Sequence, residues 1–439
     1  MSQFLYKTVK PAGGDYTSLE ACMNANEQDL TGDGWFDVEI DGIWSSADTT
    51  PVSIDTYVTT ISDYINIYTT NTARHDGTFG GSNFYKLSHS SWDTSHIKIF
   101  VHFVTINGLA IDGSSGGYRG GGIQGAYEAC KGLTIKNCIL KGMGGDEAGW
   151  AIYSGYNTDL TYPSYFYNNI IYEDRPANNN AWGIHLYGRN MYCYNNTVYG
   201  NLIGIYFFED NGTICIKNNN CIGNGTDFSG TSSDAGYNLS SDDTAPGANS
   251  KKSSTLDPDA SVSTECISTS DLHLISTANA INSGLDLSTT FTDDIDGETR
   301  PTGAGTWDIG ADEYIELYPA SLEWGEQNPS QGETAKKWSV WDDGAATPST
   351  ILGDPDWGKI YLDTSSIGHG SVENIGTTGV NRIFTITQNR YGTGVGSFVV
   401  KIRGSDTIFA QDDVNPSWET YTVPIGRQWA YVQVRLEGG

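Results

Sequence analysis

The sequence predicts an all-β protein whose main body is a parallel β-helix, and a two-part repeat in mid-chain carries that expectation. One half is an apolar-x-Asn step followed by an apolar run. Its copies are Ile106-Asn107-Gly108-Leu109, Ile135-Lys136-Asn137-Cys138-Ile139, Tyr167-Asn168-Asn169-Ile170-Ile171, Tyr194-Asn195-Asn196-Thr197-Val198 and Ile216-Lys217-Asn218-Asn219. The other half is a short strand around Ile123, Ile152, Ile184 and Ile205. Gly108, Asn137, Asn169, Asn196 and Asn219 are 29, 32, 27 and 23 residues apart, and the isoleucines are 29, 32 and 21 apart. Two series with nearly one irregular step mean stacked units of that length. Asn tolerates the left-handed region and bonds locally, so it suits a tight bend between strands, and stacked Asn amides can bond from turn to turn. A single turn cannot bury its apolar face, so stacking supplies the core. The alternative is an antiparallel β-sandwich of short strands, which does not explain two repeats held in step.

Composition fits this class. The chain has 439 residues, enough for two or three domains, with 53 Gly, 26 Tyr and only 4 Met, and no stretch carries sustained helical periodicity. A net charge of −29 argues against nucleic acid and anionic membranes as partners and favours cation binding. Seven Cys leave at least one thiol unpaired within the chain. Cys193 and Cys215 occupy matching places in adjacent copies and read as small stacked fillers. The opening Met-Ser-Gln-Phe-Leu-Tyr-Lys lacks the basic and apolar regions of a secretory signal, and no run is long enough to span a membrane. The expectation is a protein folded in a host cytoplasm and released as part of a virion, with an extracellular location as the alternative.

Along the chain, residues 1–50 read as an N-terminal cap with a short helix near Leu19–Met23, N-capped by Thr17 or Ser18. Such a cap would cover the exposed end of the stack. The β-helix is expected over 51–314. Within it, 229–262 is rich in Ser, Asp, Thr and Gly and reads as a long surface loop. Residues 315–439 alternate with period two, at Trp338–Trp341, Arg382–Ile386, Ser397–Arg403 and Trp429–Leu436, between Gly, Asp and Pro turns. They read as a C-terminal antiparallel β-sandwich.

Several stretches resemble the right-handed parallel β-helix, or pectate-lyase-like, superfamily. Asp294–Pro301 with Trp307–Glu313 is similar to the closing motif of such proteins, and Asp271–Leu274 with Asn279–Gly284 to the turn before it. Thr8–Leu19 and Ala73–Gly77 are similar to segments of phage and prophage structural proteins of this fold, as are Lys401–Asp406, Trp418–Tyr421 and Tyr431–Arg435 to their β-sandwich modules. The resemblance covers 1–314 well and the remainder loosely. It implies a virion structural or adhesive protein: a capsid decoration, tail fibre or tail spike. The implied partners are other virion proteins, copies of the chain itself in a homo-oligomer, with a trimer as the common form for spikes, and a surface polysaccharide. The rival reading, also from the superfamily, is a polysaccharide lyase or glycoside hydrolase.

The chemistry-bearing residues are few. A hydrolase needs two carboxylates facing one groove. Candidate pairs are Asp146 with Glu147, Glu173 with Asp174, and Glu209 with Asp210, although acidic residues at solvent-facing bends are commonplace. His185 with Arg189 and Arg175 would suit a lyase, but an acidic chain is poorly matched to uronates. If Ile152, Ile184 and Ile205 point inward, their successors Tyr153, His185 and Tyr206 point outward. Tyr187 and Phe208 continue that stripe. It suits stacking on sugar rings, or else cover by a loop, a subunit interface or the 229–262 segment. Asp29, Asp33 and Asp37 partly imitate a calcium loop, but Ile40 stands where the closing Glu belongs, and a plain turn into Phe36–Ile40 is the simpler reading. No Cys/His zinc spacing, phosphate loop or nucleophile elbow is present, so no cofactor is expected beyond that Ca2+ candidate.

Overall fold

The computed structural model describes residues 5–32, 34–90, 94–114, 121–126, 131–143, 149–173, 181–301 and 307–314. Beyond these it describes 318–320, 339–342, 366–369, 373–374, 382–384, 398–405, 407, 416–420, 425–427 and 431–438. The chain divides into two units, Met1–Tyr314 and Ile315–Gly439.

In the first unit, three long parallel sheets stack turn upon turn in the manner of a parallel β-helix. Among the described residues they hold nine, eight and seven strands, and successive strands of the chain step from sheet to sheet. Sheet 1 runs from Leu5–Val9 to Asp234–Gly236, sheet 2 from Lys86–Leu87 to Lys251–Lys252, and sheet 3 from Val52–Ile54 to Thr226–Thr231. Each sheet sends inward a row of side chains that continues from turn to turn. Sheet 1 contributes Val38, Ile67, Ile106, Ile135, Phe166, Cys193 and Ile216. Sheet 2 contributes Leu87, Ile111, Leu140, Ile171, Val198 and Cys221. Sheet 3 contributes Val52, Ile97, Ile123, Ile152, Ile184, Ile205 and Phe228. None of these is more than 4% exposed. The isoleucines that the sequence set in one row are therefore one buried stack. Each such side chain contributes about 1.5–3 kcal/mol by leaving water.

The bend between sheets 1 and 2 explains the Asn repeat and corrects its register by one residue. The left-handed position is held by Gly108, Asn137, Asn168, Asn195 and Asn218, with φ between +46° and +81°. Gly108 is required as such, because a Cβ there would lie 2.4 Å from Thr69 Oγ1. The next residue forms the inward ladder: Leu109, Cys138, then Asn169, Asn196, Asn219 and Asn238. In the ladder each backbone N–H donates to the amide oxygen one turn on: Asn169 to Asn196 at 3.1 Å, Asn196 to Asn219 at 3.1 Å, Asn219 to Asn238 at 3.0 Å. Two different Asn roles sit side by side, so Asn137 aligns with Asn168 and not with Asn169. The same correction separates the two cysteines. Cys193 pairs with Ile216 and faces the core, whereas Cys215 pairs with Tyr192 on the opposite face. All six described cysteines are buried and free.

Two segment boundaries also differ from expectation. Residues 1–50 are not only a cap: Leu5–Val9 and Phe36–Ile40 are the first two strands of sheet 1. Between them lies the expected helix, Leu19–Ala25, N-capped by Ser18, whose hydroxyl accepts from Ala21 N–H. Residues 229–262 are not a surface loop but the next turns of the stack, through Asp234–Gly236, Leu239–Ser240 and Lys251–Lys252. These strands are two or three residues long and side-chain hydrogen bonds hold them. Asp227 accepts from Ser241 N–H at 2.6 Å and from its hydroxyl at 2.7 Å, and Ser240 Oγ accepts from Ala245 N–H at 2.9 Å. No apolar periodicity is needed for such turns.

The segment resembling a closing motif is a strap along the side of the stack, laid over the Asn bend. Asn218 Nδ2 donates to Leu285 O, Asn195 Nδ2 to Asp308 O and Gly310 O, and Asn168 Nδ2 to Asp293 O, at 2.7–3.0 Å. At the far end Arg74 donates to Ile295 O at 3.1 Å. The left-handed Asn side chains thus point outward to the strap, while the ladder Asn side chains point inward.

In the second unit the described strands form a three-stranded and a six-stranded sheet. The larger is antiparallel, with Phe398–Ser405 paired along its length to Tyr431–Gly438. Among the described residues no helix is long and apolar enough to cross a membrane.

Candidate functional site

Sheet 3 carries an outward aromatic face. Tyr153, His185 and Tyr206 lie in one row across three neighbouring strands, Gly149–Asn157, Ala181–Gly188 and Ile203–Glu209. Their ring centroids are 4.9 and 4.8 Å apart. Tyr187 and Phe208 form the next row at 5.4 Å. The predicted stripe is thus brought together.

The face is larger than the sequence indicated. Trp150 and Trp182 pair across the same strands and pack on Tyr153 at 5.2 Å and on His185 at 5.0 Å. Strict alternation from Ile184 would turn Trp182 inward. The strand instead buries Gly183 and Ile184 together, so Trp182 and His185 share the outer face. Gly183 allows this: a Cβ there would meet Gly204 O at 2.4 Å. Tyr156 joins the second row, 4.6 Å from Tyr187, because a register shift between Tyr153 and Tyr156 re-aims it. The rings are half-buried against one another, and Phe208 is 47% exposed. His185 sits among five rings, and this burial lowers its pKa to about 4, so it is a neutral imidazole at neutral pH.

Of the three carboxylate pairs, only Glu209 with Asp210 is described whole, and each of the two is engaged by its own partners. Glu209 Oε2 accepts from Ser233 N–H and Ser233 Oγ, each at 2.9 Å, and from Ile214 N–H at 3.3 Å, closing the loop after its strand. Asp210 accepts from Tyr156 OH and pairs with Arg189 at 3.6 Å. Both carboxylates are thus committed to structure beside the face. Glu173 follows a strand of sheet 2 and lines a different feature, a cavity of about 920 Å3 with Lys141, Tyr172, Tyr199 and Asp271. Asp174, Arg175, Asp146 and Glu147 lie outside the described residues. In the calcium-loop candidate Asp29 accepts from Thr31 N–H at 2.9 Å, and Asp37 from Asn66 Nδ2 at 2.8 Å on sheet 1. Asp33 lies outside the described residues.

A second cluster was invisible to spacing. His273 lies between Asp271, at 2.5 Å from Nδ1, and Asp296, at 3.0 Å from Nε2, with Asp312 close by. Burial opposes charge on this imidazole, but Asp296, Asp312 and Asp271 outweigh it and hold its pKa up at about 10. Burial pushes Asp312 the other way for an acid, up to about 7. These residues come from the three stretches that resemble a closing motif and the turn before it, but nothing in their spacing says that the three side chains meet.

Neither a protein-family model nor a curated protein sequence matches the chain.

Proposed function

We propose that this protein is a structural and adhesive one. In this reading a right-handed, pectate-lyase-like β-helix serves as a rigid scaffold, and its sheet 3 face binds a neutral polysaccharide without cutting it. The aromatic face carries this proposal: rings at the same height on three successive turns offer stacking positions repeated about every 4.8 Å, the inter-strand spacing. A repeating glycan is the ligand class that suits a repeating platform. Aromatic surface left partly open marks an interaction site. The 229–262 segment adds turns to the stack, so it does not supply the cover that would explain the face otherwise. Glu209 and Asp210 are engaged in hydrogen bonds beside the face, which favours binding over hydrolysis. The net charge of −29 favours a neutral glycan over a uronate.

The same proposal places the protein on a bacteriophage particle as decoration, fibre or spike, with the C-terminal unit as a β-sandwich that attaches, oligomerises or binds glycan. The resemblance of Thr8–Leu19 and Ala73–Gly77 to phage proteins supports this part.

The test is a neutral-glycan array probed with the full chain and with Trp182→Ala, followed by product analysis on any glycan bound. The expected result is binding that weakens about tenfold in the variant, or ~1.4 kcal/mol, with no shortened product. Cleavage of the bound glycan would move the protein to the enzyme class. Equal binding by Trp182→Ala would remove this face as the site.

A further inference from the structure

We propose that His273, Asp296 and Asp312 hold a Zn2+ ion that fastens the side strap to the strand Asp271–Leu274. One ligand atom from each residue, an imidazole nitrogen and two carboxylate oxygens, lies within 4.8 Å of the others. Zn2+ bonds to His nitrogen and carboxylate oxygen are about 2.0–2.2 Å long, which sets atoms around one tetrahedral ion about 3.4 Å apart, so the three donors close on the ion by side-chain shifts of about 1 Å. The orientation of the imidazole points the same way. His273 Nδ1 is 2.5 Å from Asp271 Oδ1, and a carboxylate there keeps the proton on Nδ1, so an ion that displaces the Nε2 proton is bound through that nitrogen. Metal-binding histidines have this arrangement, with the second ring nitrogen donating to a carboxylate.

Nε2 is fully buried and lies 3.0 Å from Asp296 Oδ2, without the alignment of a hydrogen bond. Asp312 is 6% exposed and accepts from Leu274 N–H at 2.7 Å through Oδ2, a contact that orients it while carboxylate lone pairs remain for an ion. Asp296 is exposed and gives the ion a route from solvent. Gly77, φ +76°, brings backbone against the cluster: a Cβ there would lie 2.3 Å from His273 Nε2 and 3.1 Å from Asp296 Oδ1. The mixed nitrogen and oxygen donors suit Zn2+ or Mn2+ over Ca2+ and Mg2+, which take oxygen sets. Three protein ligands leave a fourth position for water.

The ion would join segments far apart in sequence. Asp271–Leu274 lies in a two-stranded antiparallel sheet, and Asp296 and Asp312 lie on the strap. Asp271 also lines the cavity beside Tyr172 and Tyr199. It acts here as a positioning residue for His273.

The test uses the full chain stripped with a chelator and titrated with Zn2+ against a chromophoric competitor. The expected result is one equivalent bound, at least tenfold weaker in Asp296→Asn and His273→Gln, and about tenfold to a hundredfold weaker in Asp271→Asn. Mn2+-loaded unmodified protein should show nitrogen coupling from one imidazole by pulsed electron paramagnetic resonance. That spectrum decides even where a variant fails to fold. No stoichiometric Zn2+ uptake, or Mn2+ bound without nitrogen coupling, would overturn the proposal and leave His273 as an imidazolium ion-paired to Asp271 and Asp296. Uptake unchanged in a folded His273→Gln protein would overturn it as well.

Discussion

Replacing Asn196 by Ala should destabilise the stack far more than the loss of one amide suggests. Asn196 is fully buried in the ladder. Its Oδ1 accepts from Asn169 N–H at 3.1 Å and from Asn169 Nδ2 at 2.9 Å, while its Nδ2 faces Phe166 O, Tyr194 O and Asn219 Oδ1, each at 2.9 Å. Alanine leaves two buried Asn169 donors without that acceptor, although the Asn169 amide keeps Ile135 O at 3.0 Å. An orphaned buried donor costs about 1–3 kcal/mol, so the two together, with the small void left behind, give about 3–5 kcal/mol. Leu109 and Cys138 occupy the same register in the two turns before Asn169, so the ladder position also takes residues without an amide. Equilibrium urea unfolding followed by circular dichroism gives the change from the midpoint and slope. Stacked turns can open separately, so hydrogen exchange at the Asn169 amide is the local companion measurement. A loss below about 1 kcal/mol, with that amide still protected, would refute the ladder as a source of stability.

Two further outcomes follow from the strap and the face. Arg300 is fully buried and donates to Glu313 at 2.7 Å, to Gly310 O at 3.0 Å and to Ala311 O at 2.9 Å. Arg300→Met leaves a buried carboxylate without its cation and should cost about 3–5 kcal/mol, read as faster hydrogen exchange in 285–300 at unchanged exchange in 164–199. His185 has a folded pKa of about 4 against 6.5 when unfolded, so the unfolded chain takes the proton first. Its contribution to stability is present above pH 6.5 and lost as pH falls through 4. Glycan affinity should therefore stay level between about pH 8 and pH 5, and a fall centred near pH 6.5, measured by calorimetry, would show that His185 is not buried among the rings.

How far the fold could be read from sequence depends on which force marks it. Burial of Ile123, Ile152, Ile184 and Ile205 leaves one apolar residue per turn, so that row was legible. The Asn bend was legible in kind but not in register, because Asn serves both as left-handed residue and as ladder rung, and Asn168-Asn169 does not say which is which. The turns after Thr226 were missed because Asp227, Ser240 and Ser241 hold them through hydrogen bonds, which have no period. Tyr153, His185, Tyr206, Tyr187 and Phe208 followed from alternation. Trp150, Trp182 and Tyr156 did not, because the buried pairs Ala151-Ile152 and Gly183-Ile184 and the bend at Gly155 break period two. The cluster of His273, Asp296 and Asp312 arises only when the strap folds back along the stack.

The most direct test of the central claim is a structure of the full chain with an oligosaccharide from the glycan that it binds. Sugar density should lie across Trp150, Trp182, Tyr153 and Tyr206 on sheet 3, with each glycosidic bond intact. Density confined to the C-terminal unit or to the cavity beside Tyr172 and Tyr199, with the sheet 3 rings bare, would contradict it.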